Sequence, residues 1–159
     1  MTLDGIERAL SAAGIGESRT EAYILAEHFL KIPKSRLVLM NGEELLSDGL
    51  SAAVERRINR EPLAYILGSA YFMNEEYEVS PDCLIPRPET EQLVCRAAEL
   101  LPHGGRFLDL CTGSGCVAVS LLSLRHDASG EALDISDGAC RLAERNACRA
   151  GVDGRLKIV

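Results

Sequence analysis

The chain has 159 residues, 47% of them hydrophobic, with a formal net charge of -7 and a mean hydropathy of +0.03. That length suits about one domain, or a small domain followed by part of another, and the composition is that of a folded globular chain. No apolar run approaches the roughly 18 residues of a membrane span, and no Lys/Arg cluster is dense enough to track a phosphate backbone, so neither membrane insertion nor direct nucleic-acid binding is expected. The opening stretch "MTLDGIERAL" is amphipathic and acidic, unlike a targeting peptide, which predicts a cytoplasmic address. The cysteines, Cys83, Cys95, Cys111, Cys116, Cys140 and Cys148, form no C-x-x-C pair, and the histidines are scattered. Free thiols acting as small hydrophobes are therefore expected, with no metal site.

Residues 1 to 68 read as wholly helical. Thr2 is placed to cap a helix with Leu3, Ile6 and Leu10 on its apolar side, ending near Gly14. Ser18 and Glu21 fit a capping box, and Ala22, Leu25, Ala26, Phe29 and Leu30 recur at helical spacing up to Pro33. "SRLVLM" is a shorter helical piece. A further helix starts at Ser47 or Asp48, with Leu50, Val54 and Ile58 inward and the run Glu55, Arg56, Arg57 solvated. Pro62 opens a last short helix that Gly68 ends.

From residue 69 the period changes. "AYFM" and "YEVS" alternate around Asn74 and Glu75, the pattern of a β-hairpin. Pro88, Glu89 and Glu91 then open an amphipathic helix, where carboxylates oppose the helix dipole. After "PHGG" the pattern alternates: strands at Arg106 to Leu110, Glu131 to Ile135 and Leu156 to Val159, joined by helices from about Cys116 to Leu124 and Asp137 to Ala150. Such alternation predicts right-handed crossovers and a parallel sheet.

The first of those strands ends in "LDLCTGSGC". Bare backbone at the carboxyl end of a parallel strand is where open α/β sheets bind ligands. Gly113 and Gly115 remove Cβ atoms that would hold a ligand away, and the N–H groups of the following helix can meet an anion. Asp134 closes the second strand about 20 residues beyond the loop, where an acid accepts hydrogen bonds from two ribose hydroxyls. Gly113, Gly115 and Ala118 also satisfy the loose dinucleotide pattern G-x-G-x-x-G/A, so an NAD-dependent dehydrogenase fragment is carried as an alternative. Asp109 just before the loop is typical of class I methyltransferases.

The stretch "REPLAYILGSAYFMNEEYEVSPDCLIPRPETEQLV" resembles the interdomain segment of the HemK/PrmC family, the methyltransferases that modify the glutamine of the GGQ motif in peptide chain release factors. The resemblance extends to the helical region, to "LDLCTGSGCVAVSL" and to "ALDISDGACRLAERNA". It implies an α/β protein built from a helical substrate-recognition domain (1–68), a β-hairpin linker (69–85) and the first half of a class I, Rossmann-like, S-adenosylmethionine-dependent methyltransferase domain (86–159). By the same resemblance Cys111, Thr112, Gly113, Ser114 and Gly115 line the methionine portion of S-adenosylmethionine, Asp134 holds the ribose, Arg87, Glu89 and Thr90 lie at the active-site mouth, and the protein partner is a release factor.

Two departures from the family stand out. Cys111 occupies a position where relatives usually have glycine, so its side chain is expected to crowd the turn or restrict its dihedral angles. The catalytic Asn-Pro-Pro-Tyr motif is absent: none of Asn41, Asn59, Asn74 or Asn146 precedes a proline. In the family this motif accepts hydrogen bonds from the substrate amide and aims its nitrogen at the methyl group, and methyl transfer depends on such alignment. No catalytic residue is therefore assigned, the chain is expected to be inactive alone, and the open edge of the Arg106 to Leu110 strand is expected to favour self-association. A non-catalytic protein-binding module with a vestigial cofactor loop is the remaining alternative.

Overall fold

The structure, a computed structural model, describes residues 1–40 and 42–159; Asn41, read above for a following proline, lies outside them. The chain divides into two compact units, Met1–Leu67 and Gly68–Val159.

The first unit is built from α1 (Leu3–Ala12), α2 (Ser18–Leu30), α3 (Lys34–Leu39), α4 (Asp48–Ile58) and α5 (Leu63–Leu67). Thr2 Oγ1 accepts from the Gly5 amide at 3.1 Å and Ser47 Oγ from the Leu50 amide at 3.3 Å, so both helices start where their caps lie in the sequence. Ile6, Leu10, Leu25, Leu37 and Leu50 are fully buried, each such side chain contributing roughly 1.5–3 kcal/mol. The expected capping box at Ser18 does not form. Ser18 is the first residue of α2 after an uncapped Glu17, because Glu21 is taken by a distant partner: Arg57 Nε lies 2.6 Å from Glu21 Oε2, and Arg57 Nη2 lies 3.1 Å from Oε1. Arg57, expected to be solvated, is thus turned inward, whereas Ile58, expected to be inward, is 36% exposed.

The second unit begins with an antiparallel hairpin of β1 (Ser69–Phe72) and β2 (Glu75–Glu78). Phe72 pairs with Glu75, so the turn is Met73-Asn74, one residue earlier than expected, with both residues left-handed (φ 51° and 62°). That is the backbone sense that suits the twist of a two-residue hairpin. Met73 is held in it by Glu91, whose Oε1 accepts from the Met73 amide at 2.7 Å. Phe72 and Tyr77 pack edge to face at 6.0 Å, and the Tyr77 hydroxyl lies 2.6 Å from Ser120 Oγ. Burial pushes the Tyr77 phenol up to about 12.

Beyond the hairpin come α6 (Pro88–Leu100), β3 (Arg106–Leu110), α7 (Cys116–Leu124), β4 (Ser129–Leu133), α8 (Asp137–Arg149), a single 3-10 turn (Asp153–Arg155) and β5 (Leu156–Ile158). The strands form a parallel sheet in the order β3-β4-β5, the Rossmann-like arrangement expected. The middle strand starts at Ser129 and ends at Leu133 instead of running from Glu131 to Ile135. It is cut to the length of β3, since Arg106 pairs with Ser129 and Leu110 with Leu133, and Asp134 Oδ1 then turns the chain by accepting from the Ser136 amide at 3.0 Å. Gly130 leaves room for the Phe107 ring, which a Cβ there would displace. Among the described residues β3 pairs with β4 alone, and its Leu108 and Leu110 remain 57% and 64% exposed.

The Arg57–Glu21 pair is 15% and 14% exposed, against 66% and 65% for Arg96–Glu99. Arg57→Ala leaves a partly buried carboxylate without its partner and should cost about 1–3 kcal/mol. Arg96→Ala should cost about 0.5 kcal/mol or less. Urea unfolding of the two variants checks the difference.

Candidate functional site

The carboxyl end of β3 and the start of α7 enclose the loop Cys111 to Gly115. Its path is set from both ends. Cys111 turns the chain with φ 60°, and the Thr112 amide returns to the sheet, donating to Leu133 O at 3.0 Å. Gly113 and Gly115 are both left-handed, with φ 58° and 77°. The Gly113 amide donates to Asp134 Oδ2 at 2.8 Å, so the two features read from separate stretches of sequence meet in space. Asp134 also accepts from Ser136, and each of its oxygens keeps a lone pair for a further donor.

Asp109, not assigned a site role from sequence, is the loop's inner clamp. Its Oδ2 accepts from Thr112 Oγ1 at 2.7 Å. Burial raises its carboxyl above the usual range, opposed by the Thr112 hydroxyl and the Ala118 amide, which favour the charged form. The anion-binding capacity expected of the α7 start is thus partly spent within the protein.

A cleft of about 160 Å³ opens beside the loop, lined by Asp109, Cys111, Thr112, Gly113 and Ser114, with Arg87 and Thr90 from the start of α6. Glu89 is exposed in the first turn of α6 and does not line the cleft, and neither do Gly115 and Asp134. Gly115 also makes room for α8: a Cβ there would lie 3.0 Å from Ala143 Cβ. At Gly113 a Cβ would meet only Cys83 Cβ, at 3.6 Å. Ser114 is 2% exposed, with the Cys116 thiol as the neighbour of its hydroxyl. The bare loop and the spare lone pairs of Asp134 form a donor and acceptor set that fits a polar adenosyl ligand.

Burial pushes Cys116 up to about 11 and raises Cys83 as well. Cys111 is exposed at the cleft, so its side chain does not crowd the turn, although its backbone holds the left-handed angle that glycine adopts freely. No group of three or more His, Cys, Asp or Glu side chains able to hold a metal occurs among the described residues, and no helix there is long and apolar enough to cross a membrane.

Sequence reading also missed Asn146, which is 2% exposed on α8 and donates through Nδ2 to Ser114 O at 2.8 Å. A signal was present: Asn146 interrupts the apolar stripe of Ala139, Leu142, Ala143 and Ala147.

Residues 2–68 match the family described as the PrmC N-terminal domain. The release factor glutamine methyltransferase of Nitratidesulfovibrio vulgaris is 43% identical, the match covering 99% of this chain and 56% of that protein. That of Rhodospirillum rubrum is 39% identical over 92% of this chain and 46% of its own length. The chain therefore spans about half the length of the curated relatives it matches. A transferase of solved structure from Pyrococcus horikoshii matches 85% of this chain and 61% of its own, with a TM-score of 0.50 and 13% identity, which is a likeness of fold.

The left-handed backbone at Cys111 is the testable strain of the site. An L residue there costs roughly 1–2 kcal/mol, and the unfolded-state freedom of glycine returns roughly 0.4–1 kcal/mol of any gain. Cys111→Gly should therefore stabilise the protein by about 0.5–1 kcal/mol in urea unfolding, with an unchanged denaturant slope.

Proposed function

We propose that this chain, in which residues 2–68 match the PrmC N-terminal domain family, carries the cofactor half-site of an S-adenosylmethionine-dependent enzyme that methylates the glutamine of the GGQ motif in peptide chain release factors. The observation that carries this reading is the 2.8 Å bond from the Gly113 amide to Asp134 Oδ2, which joins the glycine loop to the strand-end acid. The names of the relatives, all release factor glutamine methyltransferases, support it. The dehydrogenase alternative has no support among them.

In this reading Cys111, Thr112, Gly113, Ser114 and Gly115 hold the methionine portion of S-adenosylmethionine, and Asp134 accepts from the two ribose hydroxyls. Asp109 keeps the loop in shape, and Arg87 and Thr90 border the mouth, with Glu89 on the exposed turn beside them. The cofactor supplies an activated methyl group, and the protein's part is to align it. The helical unit grips the release factor, in the cytoplasm where translation ends.

The nucleophile-binding half is the part these 159 residues do not contain. The open edge of β3 and the exposed Leu108, Leu110, Leu93 and Leu100 offer apolar surface to strands bearing an Asn-Pro-Pro-Tyr motif. The same surface favours self-association when such strands are not supplied.

Calorimetry should show S-adenosylhomocysteine binding in preference to NAD; tighter binding of NAD would overturn the cofactor assignment. Asp134→Ala removes hydrogen bonds to a charged acceptor, worth on the order of 1.5–3 kcal/mol, and should weaken the adenosyl ligand at least tenfold while the circular dichroism spectrum is retained.

Transfer of labelled methyl groups to a purified release factor tests the activity itself. The 159-residue chain should give none alone and measurable transfer when a second polypeptide carrying the remaining strands and motif is added. Turnover without that addition would remove catalysis from the absent half.

A further inference from the structure

The amide of Asn146 makes three hydrogen bonds in a buried position. Its Oδ1 accepts from the Glu78 amide at 2.8 Å, and its Nδ2 donates to Glu78 O at 3.0 Å and to Ser114 O at 2.8 Å. One side chain therefore joins three elements: α8, the end of hairpin strand β2, and the glycine loop. On the outer side, Arg145 pairs with Glu78 at 2.7 Å and Arg149 with Glu76 at 2.6 Å. Those pairs are about half exposed and weakly held, whereas Asn146 is closed from water.

The bond to Ser114 O acts on a particular peptide. The Ser114–Gly115 unit has its N–H donated to Thr112 O at 2.9 Å and its C=O held by Asn146. Gly115, at φ 77°, bounds that plane on one side without a side chain, so only Ser114 limits its rotation from within. Its N–H is held within the loop and its C=O from outside, by an amide that α8 delivers and β2 locks.

We propose that Asn146 is a positioning residue for the cofactor loop, holding the Ser114–Gly115 peptide in the orientation that an S-adenosyl ligand requires. This rests on the reading of the loop as a cofactor site. Asn146 touches no ligand in this role and acts through Ser114. The hairpin gains a function as well, because Glu78 fixes the rotamer of the amide from the far side.

Asn146→Asp preserves the shape but sets a carboxylate oxygen against Ser114 O and Glu78 O. In the unliganded full chain, the Gly113 and Gly115 amide resonances should shift or broaden in the variant. Its affinity for S-adenosylhomocysteine, followed by the same resonances, should fall at least tenfold. Leu156→Ala, at the opposite end of the sheet, is the reference for lost stability and should bind as the wild type does. Asn146→Ser, which retains a donor, should fall between, and replaces the Asp variant in the comparison if that variant does not fold.

Unchanged loop resonances in the variants would overturn the proposal. So would a loss of affinity that Leu156→Ala reproduces at equal loss of stability. A wild-type chain that fails to bind S-adenosylhomocysteine would instead defeat the cofactor reading, while the unliganded spectra would still report on Asn146.

Discussion

The parallel register of β3 and β4 is the constraint on which the site depends. Because Leu110 pairs with Leu133, the two strands end level, and the residues that follow them, Cys111 and Asp134, leave the sheet side by side. A slip of one residue would turn every side chain of β4 to the other face and carry the Asp134 carboxylate away from the Gly113 amide. Packing protects the register: Phe107 lies over Gly130, where any side chain would collide. The anchoring of the loop thus derives from a contact between an aromatic ring and a bare strand position on the covered face of the sheet.

With the strands level, the loop can be held without rigid residues of its own. Gly113 and Gly115 contribute no side chains, so the restraints come from outside: Asp109 through Thr112, Asp134 through the Gly113 amide, and Asn146 through the Ser114 carbonyl. Acids and an amide suit this work, since each is buried enough for its hydrogen bonds to be strong. Burial of Asp109 works against its charged form, and the Thr112 hydroxyl and Ala118 amide offset that penalty. The raised thiols of Cys83 and Cys116 stay protonated at neutral pH and act as small buried hydrophobes.

The second unit is finished on one side and open on the other. α7 and the hairpin supply Phe72, Tyr77, Val119 and Leu122 to a continuous core with Ala132 and Leu156. Leu108 and Leu110 on β3, by contrast, keep more than half of their surface in water. Apolar residues in that setting, beside a strand edge with unpaired backbone groups, mark a surface suited to further packing. The helical unit has a separate core, whose buried residues run from Leu3 to Ile66, and it too keeps apolar side chains in water, at Leu39 and Leu46.

Much of this was legible in the chain itself. Arg106–Leu110 and Cys116–Leu124 have the boundaries that their periodicity predicted, because strand alternation and helix spacing are local properties, and a glycine loop between them announces the turn. Thr2 and Ser47 cap their helices for the same reason: donor and acceptor lie within one turn. The features that escaped depend on partners distant in sequence. Glu21 abandons its local capping role for Arg57, β4 takes its ends from the length of β3, and Gly115 also makes room for Ala143 of α8. Asn146 reads in sequence as a polar flaw in an apolar stripe. Sequence by itself determined which segments form helices, strands and the loop, since those preferences are settled between near neighbours; only the tertiary structure decided which polar groups are buried together, since hydrogen bonds across the fold exist only once the segments have met.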